Sequence, residues 1–293
     1  MTSGIRRMFA FTTTILLLSL LFVLPRARSA ENQKLLYLDV DTGGSYPSIL
    51  VAANLEANKG DDDFKVGVIG STTPFASSIA LAICPSEDED RQGGVAYTIA
   101  NAFSPKNQLA KLNLRTGAAT LVGSPLAHEF DMMAMACSPD GTLYAIGQLD
   151  HTNPDFNSLY TVDRKTGVAT RIGSTGVIND QPGPPSFSGY FMALSFAPEG
   201  TLYGVSDGAT GTEKGSTLYT LSLTNGVATK VVDIKVDAIM GLAVDEDGKF
   251  YVADYARQSK IYSLNSVTGK ATPILATHLD FVNNIAFKQT RDD

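Results

Sequence analysis

Sixteen residues, Ser158 to Gly173 (SLYTVDRKTGVATRIG), recur three more times along the chain, as QLAKLNLRTGAATLVG from Gln108, TLYTLSLTNGVATKVV from Thr217 and KIYSLNSVTGKATPIL from Lys260. In each copy an apolar residue (Leu109, Leu159, Leu218, Ile261) stands eight positions before a turn glycine (Gly117, Gly167, Gly226, Gly269). Two short β-prone runs around a Thr-Gly or Asn-Gly turn predict a hairpin. A second unit alternates with it: DMMAMACSPDGTLYAIG from Asp131, YFMALSFAPEGTLYGVS from Tyr190 and AIMGLAVDEDGKFYVAD from Ala238, with a divergent copy over Ser77 to Asn101. Pro139-Asp140-Gly141, Pro198-Glu199-Gly200 and Asp247-Gly248 mark its turns, where glycine supplies the positive φ. The full repeat is four strands, a to d, and the turn glycines are spaced 50, 59 and 43 residues apart.

Four short strands per period of this length predict an all-β fold, a β-propeller whose blades bury their faces only against neighbours. The ends decide the number of blades. After the last full repeat only Phe281 to Phe287 remains, which aligns with strand a, and the N-terminal part supplies strands b (Leu35 to Val40), c (Ser48 to Asn54) and d (Phe64 to Gly70). The two ends therefore complete one blade. The expectation is a five-bladed propeller of four-stranded blades, closed by the C-terminal strand a joining the N-terminal b, c and d, as a single domain over residues 30–293. Closure removes free sheet edges.

In this topology the a-b and c-d turns share one face, and the d-a and b-c connections share the other. Turns on the first face are mostly minimal, except Glu56 to Asp63 and Ser86 to Gly94. The other face carries Ser174 to Gly189, Gln148 to Asn157, Asp207 to Gly215 and Asp41 to Pro47. Long loops on a rigid scaffold are where binding residues collect. Alignment sets Ala80, Ala134, Ala193, Gly241 and Asn284 in one column of the inner strands, and Ile79, Met133, Met192, Met240 and Asn283 in the column before it. Small residues let five strands converge, and packing between blades accounts for the methionines.

At the mouth of the inner strands the chain turns polar: Glu129, Asp131, Tyr190, Asp237, Asp280 and Asn283 are the ligand-binding candidates, with His128 nearby. Converging carboxylates and amides suit a hard cation such as calcium, which takes six to eight oxygens. Solvated loop acids are the commoner reading of the same residues. The loop Asp150 to Asp155 lacks the glycine and distal glutamate of a calcium-binding hand, and a turn explains it. A three-histidine zinc site would need His128, His151 and His278, which lie on different connections. No nucleophile elbow, phosphate loop or HExxH motif occurs. Cys84 and Cys137 fall near the ends of adjacent inner strands, expected to stand further apart than the short Cα separation of a disulfide. Two buried free thiols is the first expectation and a disulfide the second.

Arg6-Arg7 followed by the apolar run Met8 to Leu24, with Ala27-Arg28-Ser29 behind it, has the pattern of a signal peptide, residues 1–29, or of an N-terminal membrane anchor. Arg6-Arg7-Met8-Phe9 is similar to a twin-arginine signal, with Ile5 where a polar residue is usual. The expected location is secreted or periplasmic, with no other membrane insertion. A net charge of −7 and no basic run beyond the N-terminus exclude a nucleic-acid partner.

The hairpin SLYTVDRKTGVATRIG resembles the repeat of exported bacterial propeller proteins of uncharacterised type, in which Leu-Tyr-x-x-Asp-x-x-Thr-Gly-x-Ala-Thr recurs. That resemblance implies a fold and no activity. GLAVDEDGKFYVAD, Gly241 to Asp254, is similar to strands of NHL and SMP-30/strictosidine-synthase-like propellers. This second resemblance implies a calcium-dependent lactonase-like hydrolase with the metal at the axis, for which Glu129, Asp237 and Asn283 are the matching ligand types. The first functional expectation is an exported, monomeric, non-catalytic scaffold that binds a small-molecule or protein ligand through its long-loop face. The hydrolase is its rival.

Overall fold

The computed structural model describes residues 34–42, 46–55, 66–75, 77–86, 94–102, 104–126, 131–148, 156–177, 189–206 and 215–287, with the backbone alone at 131 and 148. Blade 1 begins with β1 (Leu35–Val40), β2 (Ile49–Asn54) and β3 (Val66–Ser71). Blade 2 is β4 (Ser78–Cys84), β5 (Val95–Ala100), β6 (Gln108–Leu112) and β7 (Ala119–Leu121). Blade 3 is β8 (Asp131–Cys137), β9 (Leu143–Gln148), β10 (Ser158–Val162) and β11 (Ala169–Ser174). Blade 4 is β12 (Phe191–Phe196), β13 (Leu202–Ser206), β14 (Ser216–Leu221) and β15 (Ala228–Ile234). Blade 5 is β16 (Ile239–Val244), β17 (Phe250–Asp254), β18 (Lys260–Leu264) and β19 (Ala271–Ala276). The last strand, β20 (Val282–Phe287), pairs antiparallel with β1 and completes blade 1. The inner strands β4, β8, β12, β16 and β20 pack each on the next, and β20 on β4, so the five four-stranded sheets form the closed five-bladed propeller.

The eight-residue spacing has a physical cause at both ends. Leu109, Leu159, Leu218 and Ile261 are fully buried between blades. Four residues before each glycine stands Asn113, Asp163, Ser222 or Asn265. Asn113, Asp163 and Asn265 accept the backbone N–H groups of the turn through Oδ1, at 2.9 and 3.2 Å, 2.8 and 2.7 Å, and 3.0 and 2.9 Å. The turn is also an interface. Its Thr-Gly or Asn-Gly backbone presses on strand d of the preceding blade, so closely that a Cβ on Gly173 would lie 2.1 Å from the Asn225 carbonyl oxygen. Gly123 against Thr166 and Gly70 against Thr116 repeat the contact one and two blades earlier. The glycines that end RTGAATLVG and KTGVATRIG are thus where the next blade's turn docks.

A second inter-blade link is written two residues before the apolar position. Ser48, Asn157, Ser216 and Ser259, all fully buried, accept with their side-chain oxygens the N–H of the first residue of the next blade's inner strand. The acceptor distances are 2.8 Å from Ser78, 3.3 Å from Phe191, 3.2 Å from Ile239 and 3.0 Å from Val282. Such groups would otherwise be buried donors without partners.

The cysteines overturn the first expectation, because Cys84 and Cys137 are disulfide-bonded with a Cα separation of 5.0 Å. They are not register equivalents. Ile83 opposite Ala96 corresponds to Cys137 opposite Leu143, so Cys84 lies one residue further along and faces the other side of its sheet. Both sulfurs therefore enter the interface between blades 2 and 3, within one buried cluster. At this end of the inner strands a cavity of about 40 Å³ lies among Ile83, Cys137, Phe196, Val244 and Phe287, space for roughly one water. Near the chain's entry, Lys34 bridges Asp245 at 2.8 Å and Asp247 at 3.0 Å, tying the start of blade 1 to blade 5.

Candidate functional site at the long-loop end of the axis

Each inner strand carries a β-bulge close to its start, with register shifts at Ile79/Ala82, Met132/Ala134, Phe191/Ala193, Ile239/Gly241 and, on the partner strand β1, Asp39/Val40. A bulged residue leaves the ladder and its side chain is re-aimed. In blades 3, 4, 5 and 1 these residues are Met133, Met192, Met240 and Asn283, four of the five in the aligned column; in blade 2 the fifth, Ile79, stays paired with Ile99 and the shift falls at Ala80 and Leu81. Met133 and Met192 are buried, and with the half-buried Met240 they pack in one cluster with Ile79 and Ala80, although four blades contribute. Only the axis brings four blades together, so the methionines plug it below the long-loop face.

The polar residues expected at this mouth are divided. Tyr190 is half-buried, packs on the methionine cluster and meets Phe156 edge-to-face at 4.8 Å. Asp237 and Asp280 are exposed, and Asp280 Oδ1 accepts the Gln258 N–H at 2.8 Å. Asn283 is 5% exposed and donates from Nδ2 to the Ser78 carbonyl at 3.1 Å. Asp131 opens β8. Glu129, with His128 and His151, lies outside the described residues, as do residues 178–188, 149–155, 207–214 and 43–45 of the long connections. Among the described residues no three His, Cys, Asp or Glu side chains stand close enough to hold a metal ion.

The structure adds a polar cluster beside Asn283. In blades 3, 4 and 5 the inner-strand position of the small-residue column faces Ile146, Val205 or Ala253 on strand b, through the pairs Ala134–Ile146, Ala193–Val205 and Gly241–Ala253. In blade 1 the same pair is Asn284–Asp39. Across the blade interface the apolar pairs meet Phe191, Ile239 or Val282, and Ala80 and Ile99 of blade 2 meet Met132. Here Asp39, and Asn283 beside Asn284, meet Ser78. Ser78 Oγ donates to the Asp39 carboxylate, 3.0 Å from Oδ1 and 3.1 Å from Oδ2. The Ser48 hydroxyl in turn accepts the Ser78 N–H at 2.8 Å. Asp39 is 1% exposed and Asn284 fully buried. Asn284 Oδ1 accepts the Ile285 N–H at 2.8 Å, and its Nδ2 has no hydrogen-bond partner among the described residues.

Burial drives the Asp39 carboxyl up to about 8, against the stabilising Ser78 hydrogen bonds and with help from the negative charge of Asp41. Asp41 itself accepts the Tyr255 hydroxyl at 2.7 Å, and burial together with that bond holds the Tyr255 phenol above the usual tyrosine range. The cluster is thus a carboxyl kept largely neutral at pH 7, one free amide donor and two hydroxyls, enclosed between two blades. Sequence reasoning placed Asn284 only as a small residue at the axis and passed over Asp39. The signal available was the column itself, in which Asp39 is the charged residue aligned with Ile99, Ile146, Val205 and Ala253.

Solved structures similar to this chain are numerous and distant. A nidogen/laminin complex chain shares 14% identity at a TM-score of 0.49, over 87% of this chain and 82% of that one. TolB from Acinetobacter baumannii shares 13% at 0.45, over 82% and 52%. A Bacteroides fragilis protein proposed to be a 6-phosphogluconolactonase shares 12% at 0.46, over 90% and 100%. No curated protein matches the chain. Residues 122–286, more than half of the sequence, match the family described as a repeat of unknown function (DUF6923), and the chain belongs to that family.

Proposed function

We propose that this propeller is an exported, non-catalytic scaffold that binds a small-molecule or protein partner through the face carrying its d-a and b-c connections. The observation that carries the reading is the contrast between the two faces. On one, the a-b turns at 138–142, 197–201 and 245–249 close in the same way, each with an N–H···O bond of 2.9 or 3.0 Å across its ends. The c-d turns at 113–118, 163–168, 222–227 and 265–270 also close alike, at 2.9 Å each. On the other face, connections range from 235–238 to 175–190 and share no sequence. Selection for folding alone gives uniform turns, and variable loops on a rigid frame are the usual place for recognition. Export is supported by the N-terminal pattern and by the buried Cys84–Cys137 bond, a feature of oxidising compartments.

The test uses the full chain in its exporting host, with a photo-crosslinking residue at Val177 or Gly189 on the long-loop side, or at Thr166 or Thr224 on the other. Covalent adducts from 177 and 189 alone, competed by unlabelled protein, are expected. Equal adducts from both faces would overturn the reading. So would calcium-dependent lactone hydrolysis that is lost in Asp237→Ala, which would establish the hydrolase instead.

A further inference from the structure

Five similar blades raise a problem of identity that four of the interfaces do nothing to solve. The inner strands share one apolar pattern, and β20 must find β1 after every other strand has been made. Backbone pairing does not discriminate among registers, and a slip of one residue is rejected because it turns every side chain to the opposite face. A slip of two keeps the faces, and against a wholly apolar partner it would cost little.

The blade 1–blade 2 interface differs from the other four at three facing positions, and its polar groups connect the three strands that meet at closure. Asn283 of β20 donates to the Ser78 carbonyl of β4, and Ser78 Oγ donates to Asp39 of β1, the register partner of Asn284. In a two-residue slip Val282 or Ala286 would stand opposite Asp39. An inner strand of another blade would bring alanine or glycine there. Either leaves the buried carboxyl and the Ser78 hydroxyl beside an apolar strand, without the Asn283 bond. We propose that Asp39, Ser78, Asn283 and Asn284 form a register lock for ring closure: a polar set that accepts β20 of the same chain in one register and rejects other strands and registers. Buried polar groups of this kind cost stability relative to apolar ones, and fixing register is their best-attested use. The unbonded Nδ2 of Asn284 fits a selection for identity over stability.

The experiment replaces the lock with residues of the kind found at the blade 5–blade 1 interface, as Asp39→Ala/Ser78→Val/Asn283→Met/Asn284→Ala, and makes Asn283→Met separately, which removes the bond from β20 to the Ser78 carbonyl. Each isotope-labelled protein is unfolded and refolded, and cross-strand nuclear Overhauser contacts between β1 and β20 report the register, the native one pairing Tyr37 with Ala286 and Leu38 with Ile285. The lock predicts that molecules with β20 offset by two residues rise about tenfold in both variants, the factor that ~1.4 kcal/mol of lost discrimination gives. It also predicts that the quadruple variant melts no lower than wild type at pH 8. A native register as exclusive as that of wild type in the quadruple variant overturns the proposal. Should that variant fail to fold, an equally exclusive register in Asn283→Met does the same.

Discussion

Asp39→Asn isolates one proton at one buried position. The native carboxyl titrates at about 8, whereas in the unfolded chain an aspartate titrates at about 4. The folded state therefore holds the proton more tightly. Its contribution to stability is full below about pH 4 and is lost as pH rises through about 8. Across that window one group contributes a slope of roughly 1.4 kcal/mol per pH unit. For a domain of this size that corresponds to about 3–5 °C in Tm per unit. Asparagine keeps the shape and offers Ser78 an acceptor, but it does not ionise. Other carboxylates titrate in both proteins, so the quantity to measure is the difference between variant and wild type in thermal or urea unfolding from pH 5 to 8, with the disulfide intact. The variant is expected to gain on wild type by ~3 kcal/mol between pH 5 and 7, and to be the more stable protein at pH 7.5. Parallel profiles, differing by under about 0.5 kcal/mol over the range, would show that Asp39 is solvated or differently paired and would refute the account of the interface.

Three further perturbations test the inter-blade links. Gly173→Ala places a methyl 2.1 Å from the Asn225 carbonyl oxygen and must move backbone, so urea unfolding is expected to show a loss of roughly 2 kcal/mol or more; Gly173 is not among the positive-φ glycines, so the loss reports the inter-blade contact and not backbone strain. Ser216→Ala strands the Ile239 N–H at a buried seam and is expected to cost about 1–2 kcal/mol in the same assay, with Ser216→Asn recovering part of it as Asn157 does in blade 3. Cys84→Ala/Cys137→Ala opens a loop of sequence separation 53 and should lower unfolding free energy by about 4 kcal/mol in the chain-entropy view; a variant as stable as wild type would mean the bond is not formed in solution.

Much of the fold could be read from the sequence because its main constraints are local and repeated. Leu109, Leu159, Leu218 and Ile261 lie at one distance from their glycines, and each glycine answers to a turn that the previous blade must touch. β1 and β20 were legible because both align with strands of the intact repeats, Leu35 to Val40 as expected and Phe281 to Phe287 one residue longer than β20. The disulfide was not, since it depends on a one-residue difference in register between β4 and β8 that decides which face each sulfur takes. Ser216 and its equivalents were missed for another reason. A hydroxyl that serves the neighbouring blade's backbone looks, along its own strand, like any polar residue before an apolar run.

Recurrence and exception carry different information in a repeat protein, and the interface of blades 1 and 2 joins them. Where a column stays apolar in four blades, the fifth is constrained only to be small enough and buried enough, and alanine or valine would satisfy that. Asp39, Ser78, Asn283 and Asn284 are instead polar together, at one interface, at the position where the chain's two ends meet. Independent drift would scatter polar residues over five interfaces, and a stability requirement would remove them. Concentration at the closing strand requires a demand that exists only there. The other four inner strands each continue through an a-b turn into the strand they pair with, so their register is set by the turn. β20 has no such turn before β1, and side chains must supply what connectivity supplies elsewhere.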